Sequence, residues 1–405
     1  MMLLRKNLSA RARKIVLLLV VLASILFVAG FGWYILQELA AWDSDLTPDA
    51  NQPELAVQEP LPVALEASWL FTGNSFWGRY TNDAAQKTDN PHAFPFSRLN
   101  EFKRDKYDAW VTGLECPTTV KGTTMTSADM EATLTFNCDP AYLGEFSKWF
   151  DAVSLANNHT DNMGADGFAE TQTALAKNGI QYFGHYNPEQ KTDLCEVVSL
   201  PTRVTMSDGN VEKRSLAVAL CGYHYVFAIP SAESVAVIAQ YAKYFPTIVL
   251  PHGGAEYEAA PDQIKTDLYH AMIDAGADMV LGDHPHWIQS TEAYNGKLIA
   301  YSMGNFMFDQ QGSSELTRSA AIQVDVGAHD IDSELFELAD QCATYHDKCL
   351  DIAEQKDLKK QQLEYHFDAI ATADVGYKAY PAPELQTGVE QRLRWSDTML
   401  ALGQD

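Results

Sequence analysis

The sequence predicts an α/β domain preceded by one transmembrane helix, and three observations support this prediction. Short apolar runs alternate with amphipathic, helix-like stretches between about residues 67 and 330. Polar residues follow several of the apolar runs directly. Residues 15–36 contain no charged side chain. Alternating strands and helices are typical of a sheet covered by helices, and a long charge-free segment is typical of a membrane span.

The N-terminal segment has the charge pattern of a membrane anchor. Residues 1–14 contain five basic side chains and no acid, and the 22 apolar residues of 15–36 can cross a bilayer as a helix. The flank beyond residue 36 is acidic. The positive-inside rule therefore predicts a single-pass protein of the cell membrane, with a cytoplasmic N-terminus and an extracytoplasmic main domain. The alternative is a cleaved signal peptide, but the apolar core is long and no small-x-small cleavage site follows it.

Three further segments are predicted beyond the anchor. Residues 37–66 combine four prolines with acidic residues, which predicts a semi-extended extracytoplasmic stalk. Residues 67–330 form the predicted main domain. Residues 331–405 are acidic and predict a partly helical C-terminal extension, with an exposed helix at 355–364.

Nine apolar runs in the main domain predict strands, and two amphipathic stretches, 165–177 and 261–275, predict helices. The predicted strands are 68–72, 109–114, 152–155, 180–183, 216–221, 247–250, 279–281, 298–301 and 320–326.

The overall charge and the cysteines limit the partners and the compartment. A formal net charge of −25 argues against nucleic acid or anionic lipid as a non-specific partner. All six cysteines lie beyond the predicted anchor, and an even number outside the cell predicts disulfides. Cys342 and Cys349 are the simplest pair, while the remaining connectivity stays open.

Polar clusters follow six of the predicted strands, where ligands of α/β proteins gather. Histidine, carboxylate and amide side chains are metal ligands, and this mixture favours manganese, iron or zinc over calcium. In an extended turn, His284 and His286 leave the same face and converge on one ion or on two adjacent ions, while Asp283 points away and orients a ligand. The clusters lie at 73–75, 115–117, 157–161, 252–257, 282–286 and 304–306.

A single histidine at a strand end is more often a surface or hydrogen-bonded residue than a ligand. The combination of His159, His252, His284 and His286 at separate strand ends favours a site. The other histidines lack this setting and are interpreted as structural or surface residues; they are His92, His185, His224, His270, His329, His346 and His366.

Three strings carry a resemblance to a known family: VSLANNHTDNMG, LPHGGAEYE and GADMVLGDHPHWIQSTEAYNGKLIAYSMGNFMFDQ. They closely resemble the bacterial capsule-synthesis proteins of the poly-γ-glutamate type, the CapA family. The weaker strings FTGNSFWGRY and VTGLECPTT occur in the expected order, so the resemblance covers about residues 68–325. That family is similar to the calcineurin-like metallophosphoesterases. The resemblance implies a sandwich of two β-sheets flanked by helices, with a one- or two-metal site.

The resemblance also implies roles for individual residues. Glu115 matches a carboxylate that bridges two metals, and Asn158, His252 and His284 match the ligands of the second metal. His159 matches an acid or transition-state stabiliser.

The first metal would take His286 and the residue at position 74. Asn74 stands where an Asp is expected and Phe76 where metallophosphoesterases have a His, so one negative charge is missing there. One well-supplied ion is therefore expected, with the second in doubt.

Four further residues lie within the matched strings and are expected to bind substrate or to support the ligands: Asn157, Glu256, Asn305 and Asp309.

Two functions remain open at this point. The first is metal-dependent hydrolysis of a phosphoester or a related linkage in a cell-envelope polymer. The second is a non-enzymatic component of a capsule-polymer synthase or export complex, whose ion binds the carboxylates of a poly-γ-glutamate chain. An extracytoplasmic domain with a vestigial site is a third interpretation.

Overall fold

A computed structural model describes the protein at residues 60–329, 331, 333–342 and 348–404 and at Gly32. The predicted cytoplasmic segment 1–14, residues 37–59 of the stalk and, apart from Gly32, the transmembrane helix 15–36 lie outside the described residues. Among the residues described, no helix has both the length and the apolar character needed to cross a bilayer. Residues from Pro60 onward form one compact unit.

Within the described residues, fourteen strands form one connected sheet that branches at β1. The strands are β1 (Pro62–Ser75), β2 (Ala109–Leu114), β3 (Ala152–Ser154), β4 (Gln181–Phe183), β5 (Cys195–Met206), β6 (Val211–His224), β7 (Thr247–His252), β8 (Met279–Leu281), β9 (Thr291–Tyr294), β10 (Lys297–Ala300), β11 (Asn305–Met307), β12 (Arg318–His329), β13 (Glu364–Asp374) and β14 (Ala379–Pro381). The first half of β1 pairs antiparallel with β5. Residues Ala64–Phe71 of β1 pair antiparallel with β12. From Trp69 onward β1 pairs in parallel with β2, and near its end with β11.

Two arms of the sheet meet at β1. One arm runs β14-β13-β12-β1 and continues through β2, β3 and β4, and the other runs β1-β5-β6-β7-β8-β10-β9. The two arms are connected rather than separate, because the 14 residues of β1 are long enough to pair in both of them. The predicted α/β class is confirmed.

Twelve α-helices lie among the described residues: α1 (Arg79–Ala85), α2 (Ser127–Thr133), α3 (Leu143–Phe146), α4 (Gly164–Lys177), α5 (Ala232–Val235), α6 (Val237–Ala242), α7 (Gln263–Asp274), α8 (Ser314–Thr317), α9 (Glu334–Cys342), α10 (Cys349–Gln355), α11 (Gln386–Leu393) and α12 (Trp395–Leu402). Short 3-10 turns connect several of these elements.

Alternation along the strands distributes the apolar side chains over three cores. Trp69 and Phe71 enter a central core with side chains from both arms, whereas Leu70 points to an outer core beneath α3 and α4. In the other arm, Ile248 enters the central core and Val249 an outer core beneath α6 and α7. The period of two along each strand thus gives both arms an inner and an outer buried face.

All nine predicted strands and both predicted helices are present. The helix predicted at 355–364 is wrong: α10 ends at Gln355, and Asp357 has a left-handed φ of 48°. Leu358 is buried and Leu363 packs on the same core, but residues five apart lie on different faces of a helix. An irregular segment buries both side chains instead.

Residues 331–405 were predicted as a partly helical extension, and the structure adds strands to that description. β13 pairs with β12 from Arg318 to Gly327, so this segment is part of the sheet.

Three disulfides close the described cysteines: Cys116–Cys138, Cys195–Cys221 and Cys342–Cys349. The predicted pair Cys342–Cys349 is confirmed. Cys116 directly follows Glu115, so its disulfide ties the segment after β2 to Cys138.

Candidate metal centre

The predicted ligands meet at one edge of the sheet because the strands that carry them run in parallel. β1, β2, β3 and β11 are parallel neighbours in one arm, and β6, β7 and β8 are parallel neighbours in the other. Ligand atoms of Glu115, His252 and His284 lie within 4.8 Å of one another, and all three residues are buried. The two arms therefore each contribute to one candidate metal centre.

The donor atoms face each other closely. His252 Nε2 lies 3.0 Å from Asn158 Oδ1, 3.1 Å from His284 Nδ1 and 3.9 Å from Glu115 Oε1. Among the described residues, neither carboxylate oxygen of Glu115 has a hydrogen-bond partner. Burying an unpaired carboxylate is costly, and a divalent cation supplies the missing positive charge. Two imidazoles, one carboxylate and one amide oxygen fit manganese, iron or zinc.

The electrostatics of the buried cluster favour this assignment. Burial, then Asp283 and Glu256, raise the pKa of Glu115 well above its usual value. Burial and the neighbouring histidines lower the pKa values of His252 and His284 well below 6.5. Both shifts favour the neutral imidazole, which is the form that binds metal.

The His-Pro-His turn does not have the extended conformation that was expected. His284 and His286 have φ values of 94° and 60°, so both residues are left-handed. His284 turns into the cluster, whereas His286 Nδ1 lies 2.8 Å from Asn305 Oδ1. Asp283 accepts a hydrogen bond from the backbone N–H of His284 at 3.0 Å. The side chain of Asp283 thus holds the backbone of His284. It was expected to orient a ligand from an extended segment, and it does so within a tight turn.

The half of the site around Asn74 has neutral donors. Asn74 is fully buried, and neither atom of its amide has a hydrogen-bond partner within the described part of the chain. Register in the β1–β11 pair places Asn74 beside Asn305. Phe76 contacts the ring of Phe308, with ring centroids 4.9 Å apart, and offers no ligand atom. Asn74, Asn305 and Phe76 therefore offer no negatively charged ligand in this half of the site.

His159 is half-buried and its ring orientation is defined. Its ring stacks on Phe136 with centroids 4.0 Å apart, and its Nδ1 lies 2.9 Å from Asn162 Oδ1. That oxygen also accepts from the backbone N–H of Phe136, so His159 Nδ1 is the donor and Nε2 carries the lone pair. Burial lowers the pKa of His159 to about 4. The ring therefore offers a hydrogen-bond acceptor at Nε2, and its role as an acid or transition-state stabiliser stays a prediction.

Two of the expected supporting residues have other contacts, and a third is exposed. Asn157 donates to the carbonyl of Leu114 and accepts from the backbone N–H groups of His159 and Thr160, so it shapes the loop. Asp309 accepts two hydrogen bonds from Arg79, at 2.6 and 2.8 Å. Glu256 is exposed beside the site.

Sequence reasoning missed two residues of this region. Arg79 is buried, and besides Asp309 it contacts Glu131 and lies 4.2 Å over the ring of Phe136. No sequence signal shows that this arginine is buried.

His224 was interpreted as structural or surface, yet it pairs in register with His252 on the adjacent parallel strand. Its side chain therefore extends on the same face of the sheet. Its Nδ1 lies 2.7 Å from the carbonyl oxygen of Tyr186, and its buried Nε2 has no partner among the residues described. Its position at the end of β6 was the available signal.

The chain is similar to a family of bacterial proteins and to several of its known members. The family described as "Bacterial capsule synthesis protein PGA_cap" matches residues 68–310. The chain is 28% identical over 261 residues to the PGA biosynthesis protein CapA of Bacillus subtilis, a match covering 62% of this chain and 66% of that protein. It is 32% identical over 193 residues to the capsule biosynthesis protein CapA of Bacillus anthracis, covering 43% and 44%.

A probable polyglutamine synthesis accessory protein of Mycobacterium tuberculosis is 31% identical over 174 residues, covering 39% of this chain and 45% of that protein. The chain thus matches less than two thirds of the length of each of these relatives. The solved structure of TT1561 from Thermus thermophilus covers 63% of this chain and 93% of its own at 10% identity, with a TM-score of 0.33. That score is below the level at which a shared fold can be inferred.

Proposed function

Because the chain belongs to the family of bacterial capsule synthesis proteins, we propose that it takes part in the biosynthesis of a capsule polymer of the poly-γ-glutamate type. A membrane anchor at residues 15–36 would hold the domain outside the cell, as the charge pattern predicts. The observation that carries the proposal is the buried cluster of Glu115, His252 and His284, whose carboxylate has no other partner in the described chain.

The proposed site binds an anionic group of the polymer through one divalent ion. Glu115, His252 and His284 would hold the ion, and Asn158 would add an amide oxygen, which lies 3.0 Å from His252 Nε2. When bound, the ion supplies positive charge and Lewis acidity next to these residues. His159 accepts a hydrogen bond at Nε2 from the bound group, and the turn held by Asp283 keeps His284 in place.

Two observations favour metal-assisted binding over hydrolysis. Asn74 leaves the second half of the site without its own carboxylate, which disfavours a pair of ions clamping the reacting oxygens. His159 is neutral and has its lone pair at Nε2, so it does not supply a proton to a leaving group at neutral pH. A single ion also explains how a protein of net charge −25 can hold a polyanion.

The experiment measures binding and cleavage together on the purified full-length chain. Poly-γ-glutamate of defined length is titrated calorimetrically with Mn²⁺ or with EDTA, and its length is checked afterwards by gel electrophoresis. We expect Mn²⁺ to tighten binding at least about tenfold, with the polymer left intact. His252→Ala should lose this gain, whereas His270→Ala, at a histidine that contacts Glu292, should keep it.

The alternative function has its own readout. Turnover of a generic phosphodiester or shortening of the polymer that is lost in His252→Ala would establish hydrolysis instead. Absence of both metal-dependent binding and cleavage would refute the proposed function.

A further inference from the structure

A basic cleft lies at the edge of the sheet opposite the metal centre. It has a volume of about 830 Å³ and separates the β5–β6 hairpin from the loop that precedes β2. Asp108 lies just before β2 and Glu115 just after it, so the cleft and the metal centre are roughly 23 Å apart along this strand. The cleft is therefore a separate site.

Basic side chains outnumber acidic ones in the cleft although the chain is acidic overall. Lys103, Arg104 and Lys213 line it, together with the acids Asp105 and Asp108. Asp108 is already bound by Arg203, which adds a further cation next to the cleft. The ammonium groups of Lys103 and Lys213 are exposed and form no salt bridge within the described chain. With Asp108 and Asp151 each held by an arginine, Lys103 and Lys213 remain against Asp105, so the cleft keeps a small positive excess in a protein of net charge −25.

Two features of the cleft leave positive groups only partly satisfied. Arg203 on β5 pairs in register with Lys213 on β6, and like charges directly opposite each other destabilise an antiparallel pair. Arg104 donates to the carbonyl of Tyr107 and to Asp151, but its Nε–H is buried without an acceptor among the described residues. An anion in the cleft would relieve the repulsion between Arg203 and Lys213.

Aromatic side chains form the apolar wall of the cleft. Tyr107 and Trp149 line it, and both rings pack on Trp110 with centroids 5.8 Å away. Trp149 remains partly exposed. The lining thus combines separated cations with a rigid apolar surface, which suits a chain that alternates carboxylates with short methylene segments.

We propose that this cleft is a second binding site for the polymer, which holds a carboxylate-rich chain independently of the metal ion. The inference rests on the proposed function for the identity of the chain. A recessed cleft suits a polymer strand better than a flat anionic membrane. A chain bound at both sites would gain affinity through the linkage between them.

The experiment uses the full-length protein in EDTA, so that the metal centre does not contribute. Binding of poly-γ-glutamate is measured for wild type, for Lys103→Glu/Lys213→Glu and for Lys177→Glu/Lys359→Glu. The two double variants change the net charge equally, and the control lysines are exposed and outside the cleft. We expect the cleft variant to bind about tenfold or more weakly and the control to stay within about twofold. Lys103→Arg/Lys213→Arg should restore binding.

Three outcomes would overturn the inference. Equal weakening in both charge variants would show a non-specific effect of net charge. Anionic lipid vesicles that bind with the same dependence on Lys103 and Lys213, and displace the polymer, would identify a membrane contact. Unchanged EDTA-resistant binding in the cleft variant, with the Mn²⁺-dependent gain still present, would refute the cleft and leave the proposed function intact.

Discussion

Replacing Glu115 with glutamine is expected to change stability in opposite directions with and without metal. Without metal, the buried carboxylate of Glu115 has no hydrogen-bond partner in the described chain, and burial together with Asp283 raises its pKa. An unsatisfied buried polar group costs about 1–3 kcal/mol, and a charged one more. Glutamine keeps the shape and removes the charge. We therefore expect the metal-free variant to be about 1–3 kcal/mol more stable at pH 7.

The pH dependence follows from the direction of this shift. An acid whose folded-state pKa is raised contributes stability that is present at low pH and is lost as the pH rises. The advantage of Glu115→Gln over wild type should therefore grow from pH 5 to pH 8. For a domain of this size, 1 kcal/mol corresponds to roughly 1.4 °C in Tm.

Bound metal should make the wild type more stable than Glu115→Gln. At an Mn²⁺ concentration about 1,000 times the dissociation constant, the wild type gains about 4 kcal/mol. The variant replaces the anionic ligand with a neutral amide and should gain far less.

Chemical and thermal unfolding with Mn²⁺ or EDTA at both pH values measures these changes, with the exposed Glu384→Gln as the control. A variant that is less stable than wild type in EDTA, or equally stabilised by Mn²⁺, would refute the assignment of Glu115 as a ligand.

Three further substitutions test the surrounding structure. Asp374→Asn should be more stable than wild type by about 1–4 kcal/mol at pH 8, because burial raises the pKa of Asp374 to about 7. In urea titrations this difference in stability should shrink towards pH 4. Gly73→Ala should lower the free energy of unfolding by about 3 kcal/mol or more and weaken Mn²⁺ binding, since the new Cβ would lie 1.8 Å from the carbonyl oxygen of Gly304. An unchanged free energy of unfolding would contradict this packing. Arg79→Met should lower the free energy of unfolding by about 3–5 kcal/mol, because the buried carboxylate of Asp309 would lose its cation. This loss of stability should be larger at high pH than at low pH, and the opposite order would argue against this origin.

The ligands of the candidate ion were predictable because their position depends on strand direction alone. Glu115, Asn158, His252 and His284 each follow an apolar run, and parallel strands bring their carboxyl ends to one edge. Residue type then indicated the chemistry. Local pattern and one topological rule were sufficient for these residues.

Other features depend on contacts that no local pattern contains. Arg79 and Asp309 are 230 residues apart, so their pairing follows only from the packing of α1 against the segment after β11. The left-handed φ values of His284 and His286 arise from the close passage of that turn beside the end of β7. Here tertiary packing overrides the extended conformation that alternation suggests.

Several strands were missed because their sequences are weakly apolar. β13 carries exposed polar residues on alternate positions and becomes a strand by pairing with β12 over ten residues, from Arg318 to Gly327. Burial of one face of β13 depends on its pairing with β12, which no local pattern in β13 indicates.

The number of metal ions bound per chain is the most direct test of the central claim. After loading with Mn²⁺ and dialysis, elemental analysis of the purified full-length protein should find one ion in the wild type and in His270→Ala. It should find none in His252→Ala/His284→Ala, and a second ion should appear in Asn74→Asp, where the missing carboxylate is restored. A wild type without a bound ion, or a double variant that keeps its ion, would contradict the assignment of Glu115, His252 and His284 as the metal centre.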